Sequence, residues 1–344
     1  MADGTGRQRR AYIGSFTSAG GRGILTAAVD DDSGALTVLG GTDAVPNPSY
    51  LALAPAGDVL YAVSERPEGA LAAFEVTGDA PRLTGPPVPV GGTPTHLGLY
   101  DGHVLTADYG TGGVTAVPLR ADGGLAPTAS GTLRHTGSGP DPEHQQAPHA
   151  HQVVADPSGR WAVSVDLGTD SVRVCTLDAT GRPVPHRETP LRPGTGPRHL
   201  AFSPDGRHVH VLNELTPTLT TCRWDATGGV LEPVAETDVL PGAPKDRAYP
   251  SGIAVSPDGR FVWTATRGED VLSVLERQGE RLRLRATVPC GGAWPRALTA
   301  HNGFLYVANE RSGDVTWFTT DPRTGLPTAR GSVAAPAASC VVFG

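Results

Sequence analysis

The chain has 344 residues, among them 45 Gly and 32 Pro, and a formal net charge of −7. The negative charge argues against nucleic acid or an anionic membrane surface as a partner. No stretch repeats apolar residues at helical spacing, and no apolar run approaches the roughly 20 residues that would span a bilayer. We therefore expect an all-β protein with many turns and no membrane segment.

The N-terminal segment MADGTGRQRRAYIG carries charge but lacks the apolar core of a signal peptide. We therefore expect a cytoplasmic protein. We also expect that residues 1–10 form a disordered lead and that residues 11–344 form one domain.

One pattern occurs six times along the rest of the chain: an apolar run, a Gly-containing turn, a second apolar run and a polar tip. The copies begin at Pro48, Pro94, Ala150, Pro197, Pro250 and Pro295. Their spacing of roughly 50 residues is the length of a four-stranded β-propeller blade. The alternating runs indicate short strands and predict a closed array of antiparallel blades.

The two ends of the chain supply a seventh blade. AYIGSFTSAGGRGILTAAVD, from Ala11, resembles the second and third strands of a blade, whereas ASCVVFG, from Ala338, resembles a first strand. Pairing these segments closes the ring and leaves no exposed sheet edge. The prediction is a seven-bladed β-propeller with four-stranded blades, one of them built from both terminal segments.

In such a blade the first strand lines the central channel and the second strand returns antiparallel to it. The start of the first strand and the end of the second therefore meet at one face, which we call the channel mouth. The starts of the first strands contribute Ser49, Thr95, His151, Arg198, Ser251 and Arg296. The ends of the second strands contribute Phe16, Glu65, Tyr109, Leu167, Glu214, Arg267 and Glu310. Beside them stand His96, His149, His199 and Asn213.

Four of these residues, from three successive blades, should form one continuous wall: His151, Arg198, Glu214 and Arg267. An imidazole, a carboxylate and two guanidiniums suit proton transfer beside an anionic substrate. We predict these four as catalytic. The predicted substrate-binding residues are His149, His96, His199, Asn213, Arg296, Glu310, Glu65 and Tyr109. The alternative is that Arg and Glu form salt bridges that only join neighbouring blades.

Metal binding is the alternative for DPEHQQAPHAH, which holds His144, His149 and His151. The spacing of these histidines matches no regular metal-ligand pattern, and no acidic residue of the segment falls at a strand-end position of the channel mouth. We therefore expect neither a metal nor another cofactor. The four cysteines match no zinc pattern, and we expect them to be reduced structural thiols.

Several motifs resemble the seven-bladed lactonase family: YIGSFTSAGGRGI, the QxPHAH segment at 146–151, GPRHLAFSPDGR, the Asn213-Glu214 pair and TRGEDVLSV. That family includes propeller-type 6-phosphogluconolactonases and fungal 3-carboxy-cis,cis-muconate lactonizing enzymes. The resemblance covers residues 11 to 344 and implies a metal-independent site at the channel mouth. Its functional residues would be His151 or His149, with Arg198, Glu214 and Arg267.

The chain departs from the family pattern at two positions. Thr266 stands where the family usually has Asn, and Glu269 stands where it often has His. An acid in place of a possible cation near the substrate weakens the expectation of a phosphorylated sugar.

The leading hypothesis is a lactone hydrolase acting on a small anionic sugar lactone. Glu214 or His151 would take the proton of the attacking water, Arg198 would stabilise the oxyanion, and Arg267 with Arg296 would hold the substrate anion. The reverse chemistry, closure of an unsaturated acid to a lactone or another isomerisation, would use the same groups. Since a closed propeller has few edges to pair, we expect a monomer.

Two other classes stay open. A non-catalytic propeller would bind a ligand at the mouth, and such a surface should favour aromatic residues. Among the ends of the second strands, only Tyr109 and Phe16 are aromatic. A calcium-dependent lactonase or quinone-dependent dehydrogenase would need converging oxygen ligands, to which an Arg-rich ring is poorly suited.

Overall fold

The computed structural model describes residues 9–244 and 246–344, which form seven antiparallel β-sheets. The innermost strands of successive sheets contact one another in a closed cycle, so the sheets are blades around a central channel. The predicted seven-bladed β-propeller is confirmed. Residues 1–8 of the predicted lead lie outside the described residues, and the first strand begins at Arg10. No helix in the described ranges is long and apolar enough to cross a membrane.

The strands follow the chain blade by blade, and the last strand returns to the first blade. In chain order they are, for blade 1, β1 (Arg10–Ser15), β2 (Ile24–Val29) and β3 (Leu36–Thr42); for blade 2, β4 (Leu51–Leu53), β5 (Val59–Ser64), β6 (Ala70–Glu75), β7 (Arg82–Leu83) and β8 (Val88–Pro89); for blade 3, β9 (Pro94–Tyr100), β10 (His103–Asp108), β11 (Gly113–Pro118) and β12 (Gly131–Arg134); for blade 4, β13 (Ala150–Ala155), β14 (Ala162–Asp166), β15 (Ser171–Leu177) and β16 (Pro183–Pro190); for blade 5, β17 (Pro197–Phe202), β18 (His208–Asn213), β19 (Thr218–Asp225) and β20 (Val230–Asp238); for blade 6, β21 (Tyr249–Val255), β22 (Phe261–Arg267), β23 (Val271–Gln278) and β24 (Arg281–Pro289); for blade 7, β25 (Pro295–His301), β26 (Phe304–Asn309), β27 (Asp314–Thr320) and β28 (Pro327–Ala334); and finally β29 (Ala338–Phe343). A short 3₁₀ helix spans Thr17–Ala19.

The last strand closes the ring. β29 is the innermost strand of blade 1 and pairs antiparallel with β1, with Ala11 opposite Phe343 and Ile13 opposite Val341. It also contacts the innermost strands of both neighbouring blades. The predicted closure by the two terminal segments is therefore confirmed.

The hydrophobic core lies between neighbouring blades. Between blades 4 and 5, for example, Val163 and Val165 of β14 pack in one cluster with Val209 and Val211 of β18, and all four are fully buried. Each such valine contributes about 1.5–3 kcal/mol relative to an exposed one. The second strands are covered on both faces and therefore read as continuous apolar runs, as in FLYVAN of β26.

A β-bulge interrupts the innermost strand of six blades close to its start. In β13, Ala150 pairs with Asp166 and Gln152 with Val165, so His151 has no partner on β14. A bulge reorients the side chain of the unpaired residue. The residues left unpaired in this way are Ser339, Thr95, His151, Arg198, Ser251 with Gly252, and Arg296.

Candidate active site

The carboxylate of Glu214 is the centre of a buried charged group at the channel mouth. Its Oε2 lies 2.8 Å from Nε of Arg198, and its Oε1 lies 2.9 Å from Nη2 of Arg267. The contact with Arg198 is an ion pair without hydrogen-bond alignment. Nε2 of His151 lies 3.9 Å from Oε2 of the same carboxylate. The structure thus brings together the four residues predicted as catalytic, which we call the Glu214 cluster.

These four residues come from three blades. His151 and Arg198 occupy the bulges of β13 and β17, Glu214 follows β18, and Arg267 ends β22. Arg198 also donates from Nη1 to the carbonyl of Ser251, and Arg267 donates from Nε to the carbonyl of Tyr249 at 3.2 Å. These contacts fix both guanidiniums to the backbone of blade 6.

The charges in the Glu214 cluster do not cancel, because two guanidiniums share one carboxylate. Burial raises the pKa of Glu214, but the charges of Arg267 and Arg198 outweigh it and lower that pKa to about 2. Burial and the neighbouring charge of Arg267 lower the pKa of Arg198 to about 9. Burial and the charge of Arg198 hold the pKa of His151 well below its usual range, so its imidazole is neutral near pH 7.

A row of histidine rings extends the site. The ring of His199 lies edge-on to that of His151, with 5.4 Å between centroids, and edge-on to that of His96 at 5.6 Å. His96 in turn lies 3.9 Å from the ring of Tyr50. Burial, with the charge of Arg198, lowers the pKa of His96 to about 3, so this row is uncharged at neutral pH.

Tyr109 and His149 cover His151 on another side. Their rings stack at 4.3 Å, and the Tyr109 ring stands edge-on to His151 at 5.7 Å. Nδ1 of His149 donates to the carbonyl of Tyr109, and its backbone N–H donates to Asp166. Asp166 also accepts a 2.6 Å hydrogen bond from the buried His135. This chain of contacts fixes the segment that carries His151.

Arg296 belongs to a second group, the Arg296 cluster, with Glu65, Glu310 and Phe16. Its guanidinium lies 3.2 Å from Glu310 and 3.8 Å from Glu65, and it stacks over the ring of Phe16 at 4.6 Å. Burial raises the pKa of Glu65 against the opposing charge of Arg296. The sequence led us to expect that Arg296 holds the substrate anion. The structure instead pairs its charge with two carboxylates.

Asn213 is not brought to either cluster. It is fully buried, and its Nδ2 donates to Thr218 and Thr220 within its own blade. A buried polar residue occupies the equivalent position of every blade: Ser15, Ser64, Asp108, Asp166, Asn213, Thr266 and Asn309. The Nδ2 of Asn213 is thus engaged within the blade, and the predicted role of Asn213 in substrate binding stays a prediction.

Sequence reasoning missed several residues of the mouth. Tyr50, Tyr249 and Trp294 add aromatic rings beside those of Tyr109 and Phe16, so the mouth holds more aromatic residues than the strand-end positions alone indicate. Each of the three stands next to a ring position or a repeat start, and extending the superposition by one residue would have found them.

The small residues at the bulges of the innermost strands connect neighbouring blades. The hydroxyl groups of Ser339, Thr95 and Ser251 donate to backbone carbonyls of the next blade, as Nη1 of Arg198 does. These bonds could not be predicted from the sequence because they depend on the bulges.

Metal ligation finds no support in the geometry of the described residues. Within residues 9–244 and 246–344, no three or more His, Cys, Asp or Glu side chains are grouped so that they could hold an ion. His144 contacts Asp141 and Arg247 rather than His151. Independence from a metal stays a prediction. The four cysteines are free thiols and are buried, as expected.

The protein is a closed seven-bladed propeller with histidine, carboxylate and arginine side chains in contact at one end of its channel. Such a site is typical of an enzyme. Residues 10–343 match the family model described as "Lactonase, 7-bladed beta-propeller", and the chain belongs to this lactonase family. The predicted enzyme class, a lactone hydrolase, is thereby confirmed.

Similar proteins span nearly the whole chain. The 6-phosphogluconolactonase of Bacillus subtilis is 31% identical over 342 residues, covering 96% of this chain and 97% of the relative. The 6-phosphogluconolactonase of Pectobacterium carotovorum is 28% identical over 310 residues, covering 87% of this chain and 89% of the relative. Among solved structures, the periplasmic gluconolactonase of Pseudomonas aeruginosa superimposes with a TM-score of 0.90 at 26% identity, covering 98% of this chain and 99% of that one.

Proposed function

We propose that this protein hydrolyses an anionic sugar lactone of the 6-phosphogluconolactone type, at the channel mouth and without a metal. The observation that carries the proposal is the excess positive charge buried beside a neutral histidine in the Glu214 cluster. Buried unneutralised charge is costly, so such a site favours an anionic ligand. Two relatives named 6-phosphogluconolactonase support the same substrate class.

His151 is the general base in this proposal. Its neutral imidazole accepts a proton from water as the water oxygen bonds to the lactone carbonyl carbon. Nδ1 of His151 is buried without a hydrogen-bond partner among the described residues. Nε2 lies 3.9 Å from the Glu214 carboxylate, which is too far for a hydrogen bond. The imidazolium then returns the proton to the ring oxygen as the C–O bond breaks, giving the open hydroxy acid. Such a base typically contributes about 10²- to 10⁴-fold to the rate.

Glu214 stays ionised throughout and is not the base. A carboxylate with a pKa of about 2, engaged by two guanidiniums, holds a proton poorly at neutral pH. Its charge instead stabilises the imidazolium that forms 3.9 Å away, and it holds Arg198 and Arg267 in place. This argument favours His151 over Glu214, the other base that the sequence left open.

Arg198 supplies the oxyanion stabilisation. It is the guanidinium that contacts both His199 and the carboxylate next to His151, so a carbonyl attacked by water at His151 lies within its reach. Donors fixed before the reaction stabilise developing negative charge without reorganisation, and loss of one donor costs about 10²- to 10³-fold in kcat.

The test is hydrolysis of freshly generated 6-phosphogluconolactone by chelator-treated protein, compared with unphosphorylated gluconolactone. We expect turnover well above the spontaneous rate that survives the chelator and falls by about 10²-fold or more in His151→Ala. The matched control is His186→Ala, because His186 is exposed on the outermost strand β16. Turnover at only the spontaneous rate would refute the proposed substrate, and loss of activity with chelator would refute metal independence.

A further inference from the structure

Trp294 has a backbone conformation that is costly for a large aromatic residue. The residue directly before the innermost strand is left-handed in four blades, with φ of +50° at Thr93, +60° at Gly196, +63° at Trp294 and +51° at Ala337. In blade 2 the residue before the repeat start Pro48, Asn47, is also left-handed, with φ of +46°. Left-handed backbone suits Gly and Asn and is an outlier for bulky side chains. Only blade 7 places an aromatic ring in this conformation, and such strain concentrates at ligand-binding sites.

The Trp294 ring carries two guanidiniums. Cζ of Arg267 lies 5.6 Å from its centroid, and Cζ of Arg311 lies 3.4 Å from it. The backbone of this loop is held in place at Trp294. Its backbone N–H donates to the carboxylate of Asp270 at 2.9 Å, and its carbonyl accepts from the backbone N–H of Glu310 at 3.1 Å. Arg311 is therefore tied, through one indole, to a member of the Glu214 cluster.

The two arginines differ in charge compensation. Arg267 is buried and paired with Glu214, whereas Arg311 is exposed and makes no ion pair with any described residue. A guanidinium held over an indole by its face leaves N–H donors free for a phosphate, which the fork of these donors matches. Arg296 is paired with Glu65 and Glu310, whereas Arg311 is a cation of this mouth that is available for a second anionic group.

We propose that Arg311, held on Trp294, binds the phosphate of a phosphorylated sugar lactone and sets the preference for it over the unphosphorylated lactone. The inference rests on the proposed function and specifies its substrate class. The lactone carbonyl lies at Arg198 and His151, and the phosphate at the far end of the sugar lies at Arg311. Glu269 stands where the family often has His, a possible cation at this rim. In this proposal Arg311 of blade 7 supplies that cation.

The first test compares both lactones in Arg311→Gln and in Arg283→Gln. The latter removes the same charge from an exposed position on the outermost strand β24. We expect Arg311→Gln to raise KM for 6-phosphogluconolactone about 10- to 100-fold with kcat unchanged, and to leave gluconolactone kinetics as they are. The control should change neither. Equal losses on both lactones, or no loss on either, would overturn the proposal.

A second variant separates the stacked ring from the backbone strain. Trp294→Asn places at this position the residue that blade 2 has at Asn47, so we expect a Tm no lower than that of the wild type. It should still lose the preference for the phosphorylated lactone, because Arg311 is no longer held. A Trp294→Asn protein that keeps the full preference would contradict the role of the stack.

Calorimetry distinguishes failure of this inference from failure of the proposed function. The wild type should bind 6-phosphogluconate more tightly than gluconate, and Arg311→Gln should abolish the difference. If the wild type hydrolyses neither lactone, the proposed function fails, yet this titration still decides the role of Arg311. Equal affinity of the wild type for both acids would overturn the inference even if both lactones are hydrolysed.

Discussion

Nε2 of His151 lies 3.9 Å from Oε2 of Glu214, across the boundary between blades 4 and 5. This distance is too long for a hydrogen bond but short for two groups buried in a low-dielectric site. Glu214 therefore acts on His151 through its charge and raises the pKa of an imidazole that burial and Arg198 lower.

Glu214→Gln should destabilise the fold and slow the reaction. Without the carboxylate, Arg198 and Arg267 are left as buried charges without compensation, a loss of about 3–5 kcal/mol in the free energy of unfolding. The measurement is urea unfolding together with turnover at a temperature where the variant is folded. Glu310→Gln, at a more exposed ion pair with Arg296, is the control and should cost much less. Similar losses in both variants would contradict the central position of Glu214.

The pH profile of kcat/KM should show no acid limb near the ordinary histidine pKa of about 6.5. His151 must be neutral to accept a proton, and burial with the charge of Arg198 holds its pKa well below that value. The rate should therefore stay constant as the pH falls through 6.5, after correction for spontaneous hydrolysis. In Glu214→Gln any limb should move to still lower pH, because the charge that raises the pKa of His151 is gone. A limb at about 6.5 would contradict the lowered pKa of His151.

Asp108→Asn should remove a pH dependence of stability. Burial raises the pKa of Asp108 to about 7, so the folded protein binds this proton more tightly than the unfolded chain does. Stability is then greatest at low pH, falls as the pH rises from about 4 to about 7, and is level above that. The blades that carry Asn213 and Asn309 show that Asn fits this position.

The measurement is Tm at pH 5 and pH 8. Relative to the wild type, Asp108→Asn should be more stable at pH 8 and should lose less Tm between the two values. Asp58→Asn, at an exposed carboxylate, should leave the difference as it is. An unchanged pH dependence in Asp108→Asn would mean that Asp108 does not contribute to it.

Deletion of residues 338–344 should unfold the whole domain or bring a large loss of Tm. The deletion removes β29, which pairs with β1 and buries Cys340 and Val341 between two neighbouring blades. It exposes the edge of β1 and opens the ring. Removal of Gly344 alone costs one backbone hydrogen bond to Arg10 and is the control. Cooperative unfolding within a few degrees of the full-length Tm would contradict the closure argument.

The sequence predicts the fold and the composition of the Glu214 cluster because both depend on the repeat. Superimposed copies place Arg198 and Glu214 at one face whatever the details of each loop, and the structure finds these side chains in contact. Roles assigned residue by residue were less secure. Arg296 is paired with Glu310 of its own blade and Glu65 of blade 2, and Asn213 donates to Thr218 of its own blade. Superposition of the repeats places these residues at the mouth but does not give the partner of each side chain.

The role of Trp294 could not be predicted because it depends on a backbone angle. Its left-handed conformation directs the indole between Arg267 and Arg311, and nothing in the local sequence distinguishes that arrangement from an ordinary strand start. The bulges are hidden for a similar reason. Because the extra residue stands at the start of the strand, the alternation of apolar residues after it is undisturbed, yet the bulge changes where His151 and Arg198 point.

The bulge near the start of the innermost strand in six blades also bears on how this fold diversifies. A bulged residue has no partner in the strand ladder, so its side chain can be exchanged without altering the pairing around it. In this chain the same backbone feature holds Thr95, which joins blades, and Arg198, which belongs to the charged cluster. New specificities can therefore evolve at this face through single substitutions, one blade at a time, on an unchanged scaffold.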